Sequence, residues 1–334
     1  MIEVIRTPLA VVFVLGIMIF VHELGHFVTA KLNNMHVYQF MIGFGPKIFK
    51  YQGKETLYSV CLLPFGGMVD LREDESDPTN ARSFSNKKPY QRLMVILAGA
   101  FMNFVLAYVF IVGIFLTEPF PTTTIGELAP DMPAAVAGMA VDDTIVTING
   151  ETIEYWTDIR NNIAYSDETS FEVLVDRDGQ LLTFTMVGER TEGEMRIGIV
   201  PTFENNPSLA FSYGFRDFLD KSTMILDGFR GLVSGEVGFD QVSGPVGIVK
   251  QVGQVAQTNN FKNILYFTAI LSINLGIFNL LPVPFLDGGR AVFILVELIR
   301  RKPIDKDKEA YVHFAGMVLL VGLMIVLVFK DLVM

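Results

Sequence analysis

Apolar residues gather into four long runs along the chain, and polar residues collect between them. The first run covers 7–30, between Arg6 and Lys31, with Glu23 as its only formal charge. The second covers 93–117 and the third 263–286, both without a charge. The fourth covers 310–329, with no formal charge and His313 as its only histidine. A bilayer-spanning helix needs about 20 apolar residues, so each run predicts a transmembrane helix. The first run is too long for the apolar core of a signal peptide and is expected to be retained.

Between the second and third runs the period changes. Thr124–Leu128 alternates like a strand, Pro133–Gly138 predicts a short helix, and Asp142–Ile148 predicts a strand entering an Asn149-Gly150 turn. Trp156–Ala164 predicts a helix, and Phe171–Asp176 and Leu181–Val187 flank Asp178-Gly179 as a hairpin. A small half-open β-structure with two helices fits. From Asn205 to Gln257 the chain turns amphipathic and glycine-rich. Phe211, Phe215, Phe218, Leu219, Ile225, Leu226 and Phe229 suit either a helix lying on the membrane surface or a linker helix packed on a folded domain.

Composition agrees with a membrane protein. Of 334 residues, 51% are hydrophobic and 19% charged, against about a quarter charged in ordinary soluble chains. Hydrophobicity this high excludes intrinsic disorder. The single cysteine, Cys61, excludes a disulfide scaffold. The net charge of −10 argues against nucleic acid as a partner. Its distribution is more informative. The segment Glu118–Lys262 carries 9 Lys/Arg and 22 Asp/Glu, a net of −13, and the rest of the chain nets +3. The short connection Asp287–Glu309 holds six Lys/Arg, which places it on the cytoplasmic side. Four spans then put 31–92 on that side too, and leave both termini and 118–262 outside.

The candidate chemistry lies inside the first run. His22-Glu23-Leu24-Gly25-His26 is an H-E-x-x-H. On a helix, residues i and i+4 share a face, so both imidazoles reach one zinc ion with Glu23 beside it. Three ionisable groups within five residues of a span would each cost about 2.5–3.5 kcal/mol without a compensating ion. A catalytic zinc usually takes three protein ligands and keeps one position open. His36 falls in a cytoplasmic loop and suits a surface role. His313 falls in the first turn of the fourth span and suits a hydrogen-bonded structural role. Asp287 stands out, because it ends the third span in Asn279-Leu280-Leu281-Pro282-Val283-Pro284-Phe285-Leu286-Asp287-Gly288-Gly289-Arg290. Irregular backbone at membrane depth is tolerated where it is buried in protein or lines a cavity. His22 and His26 lie about 8–14 Å inside the cytoplasmic end of the first span, and Asp287 lies near the same side.

Together, H-E-x-x-H in the first span and N-x-x-P-x-x-x-x-D-G in the third resemble the bacterial site-2 proteases over nearly the whole chain. The matching residues are His22, Glu23, His26, Asn279, Pro282, Asp287 and Gly288. Phe65-Gly66-Gly67-Met68-Val69 and Ser243–Ile248 resemble further family segments, and Ile125–Gly150 resembles the core of a bacterial PDZ domain. The resemblance implies a polytopic helical membrane protein of the bacterial cytoplasmic membrane. It has an N-terminal membrane half (1–117) with a membrane-associated β-hairpin over 41–69, and one PDZ domain (120–203). An amphipathic linker (204–262) and a C-terminal membrane half (263–334) follow. It implies an intramembrane Zn²⁺ metalloendopeptidase with His22, His26 and Asp287 as ligands, Glu23 as general base and Asn279 as a donor to the oxyanion. Single-pass membrane proteins would be its substrates and the lipid bilayer its setting. The hairpin residues Phe65, Gly66, Gly67 and Met68 would hold the substrate as an added strand. Three positions depart from the pattern. In Ala98-Gly99-Ala100-Phe101-Met102-Asn103-Phe104, Ala100 stands where the family often has Pro; Asp142-Asp143 stands where Gly-Asp is usual, and there is room for one PDZ domain where some relatives have two. The rival reading is a non-catalytic PDZ adaptor with a structural zinc.

Overall fold

The computed structural model describes residues 2–71, 79–164, 166, 168–191, 193–302 and 304–333. The chain begins with α1 (Ile2–Leu32), β1 (Gln39–Gln52), β2 (Leu57–Asp70) and α2 (Pro89–Phe115). Next come β3 (Phe120–Leu128), α3 (Pro133–Ala137), β4 (Thr144–Ile148), β5 (Glu151–Thr152), α4 (Trp156–Ala164), β6 (Ser170–Arg177) and β7 (Gln180–Val187). Then follow β8 (Glu189–Thr191), β9 (Glu194–Arg196), β10 (Ile199–Glu204) and α5 (Pro207–Ser234). The chain closes with α6 (Pro245–Gln257), α7 (Phe261–Leu280), α8 (Asp287–Arg300) and α9 (Lys306–Val333). These elements form two compact units, one of residues 1–111 with 215–334 and one of residues 112–214.

Helices α1, α2, α7 and α9 are long and apolar enough to cross a membrane. A helix satisfies its own backbone groups, which hydrocarbon requires. The expected third span, 263–286, is shorter than its hydropathy suggests, because α7 stops at Leu280. Pro282 and Pro284 offer no N–H to an ongoing helix, and Phe285 takes a φ of 81°. The expected loop 287–309 is also corrected. It opens with α8, which buries Gly288, Gly289, Ala291 and Ile294 on one face. Its basic residues had hidden that stripe from a search for long apolar runs.

In the first unit, Ala10, Val11, Val14 and Met18 of α1 pack with Leu106 of α2 and with Val252 and Ala256 of α6. The first turn of α6 leaves N–H groups without intrahelical partners. The Asp331 carboxylate of α9 accepts from two such groups, the N–H of Gly244 at 3.2 Å and of Gly247 at 2.7 Å. The segment Ser243–Ile248 therefore serves as a docking point for α9. Helix α5 packs on membrane helices, with Phe218 against Phe104 and Tyr108 and Phe229 against Phe278. Burial holds the Asp217 carboxyl of α5 above its usual range, although Lys221 and Tyr266 oppose this.

The hairpin expected over 41–69 is more elaborate than two strands. Residues 47–52 pair antiparallel with 57–61, which also pair parallel with 39–42. Residues 39–42 in turn pair antiparallel with 67–70. Each long strand bends, at Gly43 and Gly45 in β1 and at Gly66 in β2, all at positive φ. The result is a four-segment sheet with 67–70 along one edge. Glu55 ties it to the end of α1 by accepting from Lys31 and, at 2.8 Å, from Arg82. Those hydrogen bonds, from Lys31 first, pull its carboxyl down to about 2.

The second unit is built on a sheet of order β10-β3-β4-β6-β7, with β5 on β4. Asn149 and Gly150 both take positive φ, at 50° and 83°, in the turn between β4 and β5, as such turns require. Ile125, Ile145, Ile148, Phe171, Val173 and Val175 fill its core beneath Ile159 and Ile163 of α4. Asp143 has no exposed side-chain surface and is held bidentately by Arg177 at 2.6 and 2.7 Å.

Candidate active site

The H-E-x-x-H lies on α1, as its spacing predicts, and α2 and the start of α8 close around it. His22 Nε2 and His26 Nε2 are 3.1 Å apart. Asp287 Oδ2 lies 3.2 Å from the first and 3.3 Å from the second. Two features of α2 permit this convergence. His26 Nδ1 donates to the Val95 carbonyl at 2.8 Å, so its Nε2 carries a lone pair. Gly99 passes under both rings: a Cβ there would meet His26 Nε2 and would lie 2.7 Å from His22 Cε1.

Glu23 faces the sheet. The Val69 N–H is directed at its carboxylate, and a Cβ on Gly67 would lie 2.6 Å from Glu23 Cγ. Glycine at 67 thus lets the strand edge reach the carboxylate. A cavity of about 320 Å³ opens here, lined by His22, Glu23, His26, Asp287, Gly67 and Met68 among others. Arg290 stands in the same lining.

The sequence pattern of Peptidase family M50 matches residues 10–323. The chain belongs to peptidase family M50. A candidate zinc metalloprotease of Clostridium acetobutylicum is 37% identical, over 95% of each chain. The regulator of sigma-W protease RasP of Bacillus subtilis is 33% identical over 98% of each. The zinc metalloprotease RasP of Oceanobacillus iheyensis is 32% identical over 97% of this chain and 98% of its own. The alignment to the Bacillus protein runs over 416 positions, so that relative carries residues with no counterpart in this 334-residue chain. The resemblance to site-2 proteases is borne out, and this M50 peptidase is an intramembrane metalloprotease.

The donor set suits an ion. Three acceptor atoms converge at 3.1–3.3 Å, close to the edge of about 3.3 Å that bonds of about 2.0–2.1 Å give in a tetrahedron. Asp287 Oδ2 is buried and has no hydrogen-bond partner, as a ligand atom would. Among the described residues, this is the one group of three His, Cys, Asp or Glu side chains arranged to share a metal.

Other expected residues fare differently in the peptidase. Asn279 lies in the last turn of α7 and is not among the residues lining the cavity. Gly66 takes a φ of 71° at the bend of β2, beside the Phe44 ring, whereas the Phe65 side chain lies outside what is described. His36 stacks on Tyr38 away from the cavity. His313 Nδ1 accepts from the Phe285 N–H at 2.9 Å, so the expected structural histidine braces the backbone two residues before Asp287. The sequence reading missed Val95, Gly99 and Asn103 of α2 as parts of the site. The available signals were the segment Ala98–Phe104, already set against the family pattern but given no site role, and Asn103 within it, an amide in the middle of an uncharged span.

Proposed function

We propose that this intramembrane zinc metalloendopeptidase holds its ion with His22 Nε2, His26 Nε2 and Asp287 Oδ2 and uses Glu23 as general base. The convergence of three potential ligand atoms beside Glu23, at the wall of a cavity, carries this reading. Bound there, zinc supplies Lewis acidity: it polarises a peptide carbonyl and makes water a nucleophile near neutral pH. Glu23 takes a proton from the attacking water and passes it to the leaving amine. Asn279 is assigned to oxyanion stabilisation on its motif position alone. A structural ion in an adaptor would favour a closed, four-ligand site, and three ligands facing a cavity suit the enzyme better.

The substrates are proposed to be single-pass membrane proteins. A transmembrane helix hides its peptide bonds in its own hydrogen bonds, so the scissile stretch must unwind. The edge 67–70, next to Glu23, would then receive it as an added strand. We read residues 120–203 as a PDZ domain on the likeness of Ile125–Gly150. A groove of about 340 Å³ lined by Trp156, Ile159, Ile163, Ile197 and Ile199 is its proposed peptide dock. The charge distribution supports placing this domain and both termini outside the cytoplasm.

The test is Glu23→Gln in the full purified chain, with zinc content and cleavage of a single-pass substrate measured together. Zinc should stay bound while the rate falls by about 10²–10⁴-fold. Cleavage at the wild-type rate overturns the role of Glu23, and loss of zinc overturns its separation from the ligands.

A further inference from the structure

The two histidines of the triangle are supported unequally. His26 Nδ1 has a carbonyl acceptor, Val95. His22 Nδ1 lies 3.2 Å from the Asn103 side-chain amide, with Nδ2 on the near side. In that orientation Asn103 Oδ1 is buried and has no partner. Asn103 has no exposed surface, and Ser272 Oγ donates to its backbone carbonyl at 2.9 Å, which pins it against α7. No solvent reaches the stranded oxygen. An amide donor at His22 Nδ1 would also force the imidazole proton onto Nε2, into the triangle with Asp287 Oδ2.

One rotation gives that oxygen a donor and returns the imidazole proton to Nδ1. Turning the amide by half a revolution exchanges Oδ1 and Nδ2 and displaces no other group. Oδ1 then accepts from His22 Nδ1–H, and Nε2 presents a lone pair beside those of His26 and Asp287. We propose that Asn103 is a positioning residue of the metal centre, with its side-chain carbonyl fixing the tautomer and ring orientation of His22. It is the counterpart of the Val95 carbonyl at His26. Outer partners of this kind orient metal-binding imidazoles and raise their basicity. Val95, Gly99 and Asn103 are spaced i, i+4, i+8, so they form one stripe along α2. That stripe reads acceptor, gap, acceptor: a carbonyl for one ring, a glycine to admit both, and a second carbonyl for the other.

This inference rests on the reading of His22 as a ligand, and the experiment separates the two. Zinc affinity of the full chain in detergent is measured by chelator competition. Asn103→Leu, close in size but without an acceptor, should bind about 10–100-fold more weakly. Asn103→Asp keeps the acceptor and should bind at least as tightly as the wild type. In a His22→Gln background, Asn103→Leu should add no further loss. Undiminished affinity in Asn103→Leu overturns the proposal, as does an equal loss in Asn103→Asp or a full second loss in the double variant. Wild-type affinity in His22→Gln alone would instead remove the ligand assignment. Should Asn103→Leu fail to fold, nitrogen NMR of the zinc-free wild type decides. The His22 proton is expected on Nδ1, and a proton on Nε2 refutes the role of Asn103.

Discussion

At the scale of single residues, glycine in a helix is usually a weakness, and Ala in its place gains up to about 1 kcal/mol. Position 99 reverses that sign. A methyl there would press on both imidazoles, and displacement of catalytic groups by about 1 Å can cost about 10²-fold in rate. Gly99→Ala is expected to lose about that factor in cleavage. Gly113→Ala on the same helix, where nothing lies within 4 Å of the added Cβ, should cleave as the wild type does. Equal behaviour of the two variants in a cleavage assay would refute the steric account. These residues also mark the limit of what was legible in the sequence. His22, Glu23 and His26 could be read because their spacing is local to one helix, and Asp287 because it sits at a break in an apolar run. Gly99 and Asn103 act across a helix–helix contact, and hydropathy does not say which face of α2 meets α1.

Among the elements, helices with long apolar runs or a hairpin turn were legible, and those shaped by their neighbours were not. Trp156–Ala164 forms α4 as its period predicts, and Asp178-Gly179 joins β6 to β7. The folding of β1 and β2 into four segments depends on bends at Gly43, Gly45 and Gly66, and glycine alone does not announce a bend. The break after α7 is a similar case. Prolines predicted it, but not its brace. His313 reaches from α9 to the N–H of Phe285, a residue held at a φ of 81°. Such backbone costs about 1–3 kcal/mol and persists only where its surroundings impose it. His313→Ala should therefore loosen Asp287 and lower cleavage roughly tenfold, with His313→Asn, which restores an acceptor, recovering most of the rate. Equal rates for His313→Ala and the wild type would dismiss the brace. In the second unit, burial tends to raise the Asp143 carboxyl, but hydrogen bonds from Arg177 and Ala140 and the guanidinium charge hold it below its usual value. A depressed carboxyl stabilises the folded state above its unfolded pKa and loses that contribution as pH falls through its folded pKa. Thermal melting of the unit should thus be insensitive to this group above about pH 3.9 and decline below it. Asp143→Asn should flatten that acid limb, and an unchanged limb would count against the pair.

For the whole molecule, the net charge of −10 becomes informative once divided between an acidic segment, 118–262, and a mildly basic remainder. The proposed orientation follows from the six Lys/Arg of 287–309 and can be mapped. Cys61 is buried at 4% exposure, so the parent should be silent to thiol reagents. Val136→Cys, at a site 76% exposed, should react with a membrane-impermeant maleimide in intact cells, and Lys302→Cys only after permeabilisation. The opposite pattern would invert the topology. One consequence of the proposed metal triangle concerns assembly. Two of its corners come from residues 22 and 26 and the third from residue 287, so helices far apart in the sequence must pack together before the three atoms meet. An ion that binds only the finished arrangement adds its binding free energy to folding. The metal would then cross-link distant parts of the membrane unit, and withdrawing it should loosen the architecture as well as stop the reaction.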